Sequence, residues 1–115
     1  ARDAEARTAN STRSTVMICF NYGGQKEIVE AVKRLFASDQ EVNEDNISKN
    51  LYAPDVPPCD VIVRTSGEKR LSNFMLWRAA YSELIFVDKH WPDMKAEDVK
   101  KIIEEYNKRS RRYGW

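Results

Sequence analysis

Three short apolar runs set the limits on how this chain folds. Thr15-Val16-Met17-Ile18-Cys19-Phe20, Val61-Ile62-Val63 and Leu84-Ile85-Phe86-Val87 are of strand length and continuously apolar rather than alternating. Strands that carry apolar side chains on both faces are buried on both, which is the habit of parallel sheets. Each run is followed by a polar break and then by a helix-length segment. The order strand, helix, helix, strand, helix, strand, helix predicts an α/β fold with a parallel sheet and crossover helices. Three such strands are few. Covered on both sides, they leave one long edge without a partner, so the sequence predicts an incomplete domain or one completed by another chain. That the chain opens without a strand ahead of its first helical segment fits a missing front half.

The segments between the runs are read as follows. Residues 1–9 end a helix, and Asn10 to Ser14 connect it onward. A helix over about 25–37 carries Ile28, Val32, Leu35 and Phe36 on one stripe. A shorter one, about 44–52, carries Ile47 and Leu51, and Pro54, Pro57 and Pro58 forbid regular structure after it. A third spans about 72–81 and holds Phe74 to Trp77 as core residues. The last starts at Trp91-Pro92-Asp93, with Val99, Ile102, Ile103 and Tyr106 as its buried stripe. Lys108, Arg109, Arg111 and Arg112 fall near its negative end, where cations are favoured.

At 115 residues the chain is one domain or part of one. Nineteen Lys and Arg against 18 Asp and Glu give a net charge of +1, too little for a global field that recruits nucleic acid. Anion binding must come from local placement. No apolar run approaches the ~20 residues of a membrane span, and residues 1–10 lack the apolar core of a signal peptide. Cys19 and Cys59 lie far apart, with no CxxC and one histidine, which argues against zinc. Cys19 reads as a small core residue and Cys59 as a loop thiol. Free thiols favour a reducing, cytoplasmic setting.

Ligands of open parallel sheets bind beyond the carboxyl ends of the strands. Asn21 to Gly24, Arg64 to Ser72 and Asp88 to Asp93 should all rim that edge. The second segment is the most informative. Arg-Thr-Ser-Gly-Glu-Lys-Arg-Leu-Ser packs two arginines, a lysine, two serines and a glycine into nine residues just past a strand. Arg64 and Arg70 can each offer a bidentate fork to phosphate oxygens. Ser72 is placed to cap the next helix and to donate to the same anion. Gly23-Gly24 before a helix lets backbone N–H groups approach a phosphate. Each has a bland alternative: an ordinary loop with Arg64 paired to Glu68, and a tight strand-to-helix turn at the glycines. Glu83 could reach a divalent cation or be a solvated strand-end carboxylate. His90 reads as structural. No Ser/His/Asp or Cys/His constellation is visible, nor a Walker-type loop.

Phe20-Asn21-Tyr22-Gly23-Gly24, Asp60 to Glu68 and Arg70-Leu71-Ser72-Asn73-Phe74-Met75-Leu76-Trp77 resemble the cis-prenyltransferases, the undecaprenyl diphosphate synthase family. So do Ala80 to Leu84, Trp91-Pro92-Asp93 and Arg111-Arg112-Tyr113-Gly114, in family order across almost the whole chain. The Arg-Thr-x-Gly-Glu…Arg-x-Ser-Asn-Phe block is highly specific. The resemblance implies an enzyme that extends an allylic prenyl diphosphate with isopentenyl diphosphate, forming cis double bonds with Mg²⁺. It implies that Arg64, Arg70 and Ser72 hold the isopentenyl diphosphate, that Glu83 is associated with the magnesium, and that Asn21, Gly23 and Gly24 shape the cleft near the allylic substrate. It further implies a homodimer in which Arg112 and Gly114 reach the partner subunit's site, and peripheral membrane contact through the lipid product.

Two departures stand out. Many members have histidine where this chain has Lys69. The family's Asp-Gly-Asn-Gly-Arg-Trp segment, with its metal-binding aspartate, is not in these residues. The resemblance thus covers only the C-terminal half of a synthase, so residues 1–115 are expected to be a partial domain: the C-terminal half of an open, mostly parallel sheet with crossover helices on its faces. Alone it is expected to be inactive. The alternatives are a non-catalytic accessory subunit of a heteromeric enzyme and a truncated fragment.

Overall fold

A computed structural model describes residues 2–109. Its elements are α1 (Arg2–Thr8), α2 (Gly24–Ala37), α3 (Glu44–Lys49), β1 (Val61–Arg64), β2 (Glu83–Phe86), a 3-10 turn (Trp91–Asp93) and α4 (Ala96–Lys108). The strands run parallel, pairing Val61 with Glu83 through Arg64 with Phe86. Adjacent residues of a strand face opposite sides. Ile62 and Ile85 stand on opposite faces by this register and both are buried, so each face of the sheet is covered. The parallel pair agrees with the predicted α/β parallel sheet in part: the described sheet has two strands rather than three, and turns rather than a helix precede β2 in the crossover.

α2 forms the other half of the core. Gly24, Glu27, Ala31 and Leu35 are its buried positions, spaced three and four apart. Ile28 and Val32 flank that line half-buried, but Phe36 of the expected stripe is exposed. The helix closes at Ser38 and Asp39. Asp39 takes φ +51°, and the Gln40 N–H returns to the Leu35 carbonyl at 3.0 Å, the 6→1 bond of a Schellman stop. α3 packs on α2 and opens with Asn43, whose side chain accepts the Asn46 N–H at 2.9 Å. Leu51, just past α3, is buried.

Five expectations are corrected. Residues 15–20 form no strand: they pair with no described segment, and Val16, Ile18 and Phe20 are exposed. An apolar run becomes a strand only through ladder partners. Cys19, expected in the core, is exposed with them. Residues 72–81 are a chain of turns rather than a helix, because Ser72, Asn73 and Met75 take φ of +49°, +64° and +48°. Left-handed residues interrupt any i→i−4 ladder. Trp91-Pro92-Asp93 makes its own short turn, and α4 begins afterwards at Ala96. Finally, the expected buried stripe of α4 is only partly covered: Val99 and Ile103 are 49% and 53% exposed, and no residue of this helix is buried.

α4 is tied down at its start by charge. The Lys95 N–H donates to Asp98 Oδ2 at 2.9 Å, and Lys89 Nζ reaches the same oxygen at 2.6 Å. The bond from Lys89, and then that from the Lys95 N–H, holds the Asp98 carboxyl below the usual carboxylate range. A depressed carboxyl stabilises the fold above its unfolded pKa of about 3.9, and that stability is lost as pH falls through the lower folded value. Asp98→Asn should therefore lower the thermal midpoint at about pH 7, and the deficit should shrink as pH falls below the unfolded value. A deficit that does not change as the pH falls would contradict this role. No helix among the described residues is long and apolar enough to cross a membrane.

Candidate functional site

An open cleft of about 380 Å³ lies at the carboxyl end of β1. It is lined by Ile62, Val63, Arg64, Thr65 and Ser66 from the strand and the turn after it, and by Arg70, Leu71 and Phe74 from the returning loop. The turn is fastened to the end of β2. The Ser66 N–H donates to the Lys89 carbonyl at 2.9 Å and the Gly67 N–H to the Val87 carbonyl at 3.0 Å. Gly67 sits at φ +69°, which suits glycine. Those two N–H groups are spent within the fold and are not available to an anion.

The side chains present are suited to it. Arg64 ends β1, and its guanidinium has no hydrogen-bond or ion-pair partner among the described residues. Arg70 pairs with Glu68 in an ion pair whose two side chains are 60% and 42% exposed. Exposed pairs contribute about 0–1 kcal/mol, so a multiply charged anion can displace Glu68 from Arg70. The bland reading of the sequence had Glu68 on Arg64; the structure puts it on Arg70 and leaves Arg64 open. Thr65 and Ser66 add hydroxyls, while Leu71 and Phe74 add an apolar wall.

The remaining residues singled out from sequence fall elsewhere. Ser72 is exposed, caps no helix and does not line the cleft. Asn21 is exposed at φ +49°. Gly23 and Gly24 start α2, but Asn73 already takes its first donors: Gly24 N–H to the Asn73 carbonyl at 2.7 Å and Gln25 N–H to Asn73 Oδ1 at 2.9 Å. The glycines serve close packing. A Cβ on Gly24 would lie 2.9 Å from Leu76 N and 3.1 Å from the Asn73 carbonyl oxygen, backbone atoms that cannot swing aside. Gly24→Ala should therefore destabilise by about 1–3 kcal/mol; an unchanged urea midpoint would refute the close approach. The segment still borders the cleft, since the Tyr22 ring meets Phe74 edge-on at 5.8 Å.

Glu83 stands at the amino end of β2, about 10 Å of strand away from the carboxyl-end cleft. Its carboxylate accepts Arg109 Nη1 at 3.0 Å. The bonds to Glu83, and then to Glu105, hold Arg109 more firmly in its charged form. Lys69 is exposed, and no group of three His, Cys, Asp or Glu among the described residues could hold a metal ion. These residues alone do not fit a magnesium site. Arg112 and Gly114 lie outside the described residues.

Sequence reading missed three polar residues that hold this region together. Glu27 is 1% exposed, and its carboxylate accepts the Tyr22 hydroxyl and the Tyr52 N–H. Burial and the bond to Glu27 push the Tyr22 phenol up. Arg78 donates to the carbonyls of Tyr52, Ala53 and Val56, and Asn73 caps α2. The one available signal was Glu27 itself, a carboxylate four positions before a buried alanine.

Comparison with known proteins shows the family of the chain. Residues 1–114 match the family model for undecaprenyl diphosphate synthase. The isoprenyl transferase of Zymomonas mobilis is 49% identical over 114 residues, covering 93% of this chain and 46% of that protein. That of Thermotoga maritima is 47% identical, covering 98% and 51%. A decaprenyl diphosphate synthase of Mycobacterium leprae is 48% identical, covering 96% and 40%. The crystal structure of a probable undecaprenyl diphosphate synthase from Campylobacter jejuni superposes with a TM-score of 0.91 at 33% identity, over 99% of this chain and 54% of that one. The chain thus spans about half the length of the relatives it matches.

Proposed function

We propose that this chain, which belongs to the undecaprenyl diphosphate synthase family, supplies the isopentenyl diphosphate grip of an enzyme that elongates prenyl chains with cis double bonds. The observation that carries the reading is the joint presence of Arg64 and Arg70 on one cleft beside Leu71 and Phe74. Two forked cations match a diphosphate. The apolar wall suits the short hydrocarbon that an isopentenyl unit carries. Anchoring that unit next to the allylic partner removes translational entropy from a two-substrate step. The elongation forms one carbon–carbon bond as the allylic carbon–oxygen bond breaks, releases diphosphate and loses one proton. Arg64 and Arg70 bind and orient the incoming unit. The allylic substrate belongs on the side of Asn21 to Gly24, which borders the cleft through Tyr22 and Phe74.

The same reading takes the working form as a homodimer in which Arg112 and Gly114 serve the partner subunit's site, with peripheral membrane contact following from the lipid product. The test uses the complete protein with magnesium, an allylic diphosphate and isopentenyl diphosphate. Longer prenyl diphosphates with new cis double bonds are expected. If both substrates return unchanged, the proposal fails.

A further inference from the structure

His90 lies 24 residues from Ser66 in sequence, yet its Nδ1 is 3.2 Å from the Ser66 hydroxyl oxygen. The reading of the cleft counts Ser66 only as one hydroxyl of its lining and makes no use of His90. Ser66 lines the arginine cleft, while His90 belongs to the loop after β2. Two features hold the pair in place. Ser66 takes a left-handed φ of +68°, a backbone few serines adopt, and its N–H is bonded to the Lys89 carbonyl immediately before His90. Ser66 thus both lines the cleft that carries Arg64 and Arg70 and meets an imidazole through its hydroxyl.

We propose that Ser66 and His90 form a third, proton-dependent element of the anion grip. His90 is a positioning residue that holds the Ser66 hydroxyl at the cleft, and its protonation turns the hydroxyl proton toward a bound diphosphate. The proposal rests on the reading of the cleft given above. A hydroxyl has one proton to give. When Nδ1 of a neutral imidazole is unprotonated, that proton is spent on the ring. In the imidazolium both ring nitrogens can only donate, so Nδ1–H must point at the Ser66 oxygen. The Ser66 proton is then released, and a diphosphate held by Arg64 and Arg70 is the acceptor at hand. The new positive charge on the ring adds to the attraction.

Other charges surround the pair. Asp88, Lys89 and Asp93 flank His90; Arg64 ends β1, and Glu68, Lys69 and Arg70 follow it on the same loop as Ser66; and Asp98 of α4 bonds Lys89. The ligand titrates as well. All of these are common to wild type and a His90 variant, so the ratio of their affinities isolates the imidazole.

Calorimetry with inorganic diphosphate on the complete protein tests this, using wild type, His90→Gln, Ser66→Ala and Arg64→Ala. The wild-type advantage over His90→Gln should grow about three- to tenfold between about pH 7.8 and about pH 5.8. Ser66→Ala should lose most of that growth, and Ser66→Gly, which suits the left-handed backbone, should repeat the result should alanine disturb the turn. Arg64→Ala should bind more weakly at both pH values but keep the growth. Parallel pH profiles for wild type and His90→Gln, with diphosphate still bound, would overturn this inference and leave the reading of the cleft standing. No diphosphate binding by wild type at either pH would overturn both.

Discussion

Arg70→Ala in the complete enzyme is expected to lower kcat/KM for isopentenyl diphosphate about 10- to 100-fold, chiefly through KM, and to leave the affinity for the allylic diphosphate nearly unchanged. The physical basis is the fork. A bidentate arginine–phosphate contact makes two charge-assisted hydrogen bonds, and its loss removes both. Arg70→Lys keeps the charge but not the fork, so it should fall between wild type and alanine. Arg64→Ala should cost at least as much as Arg70→Ala, because Arg64 enters the complex unpaired while Arg70 must first release Glu68. Equal losses for the two substrates would argue that Arg70 serves the fold or the allylic site instead.

Arg78→Met is expected to destabilise the protein by about 3 kcal/mol, the largest stability effect the structure supports. Arg78 is 9% exposed and donates to three carbonyls, those of Tyr52 and Ala53 at 2.7 and 2.9 Å and that of Val56. Methionine fills much of the volume and supplies no donor, leaving those oxygens without their partner. Three carbonyls of the 52–56 loop are bonded by this one side chain, so the loop's amide protection should fall with the midpoint. The measurement is a urea titration with m unchanged. A midpoint shift worth less than about 0.5 kcal/mol would show that water replaces the guanidinium at no cost.

How far the sequence disclosed these features follows from the range of the interactions. β1, β2 and α2 were legible because β-branched runs and a three-and-four spacing encode them locally. Residues 15–20 have the same composition as β1, but strand formation depends on a neighbour that local pattern cannot supply. The stretch 72–81 carries helix-forming residues, yet Asn73 and Arg78 spend their polar groups on α2 and on the 52–56 loop, each more than 20 positions away. Hydrogen bonds over that distance override a local preference. Within the site, the composition of 64–72 pointed to an anion. That Glu68 would pair with Arg70, that Ser72 would turn away, and that Glu83 would bind Arg109 at the far end of its strand depend on backbone direction, which composition does not carry.

The central claim is that Arg64 and Arg70 together hold the diphosphate of the isopentenyl unit. It is tested most directly by a crystal structure of the complete protein soaked with an unreactive thio-analogue of isopentenyl diphosphate. The diphosphate is expected between the Arg64 and Arg70 guanidinium groups at the carboxyl end of β1, with the hydrocarbon against Leu71 and Phe74. Its appearance at the amino end of the strands near Glu83, or anywhere out of reach of both arginines, would contradict the account.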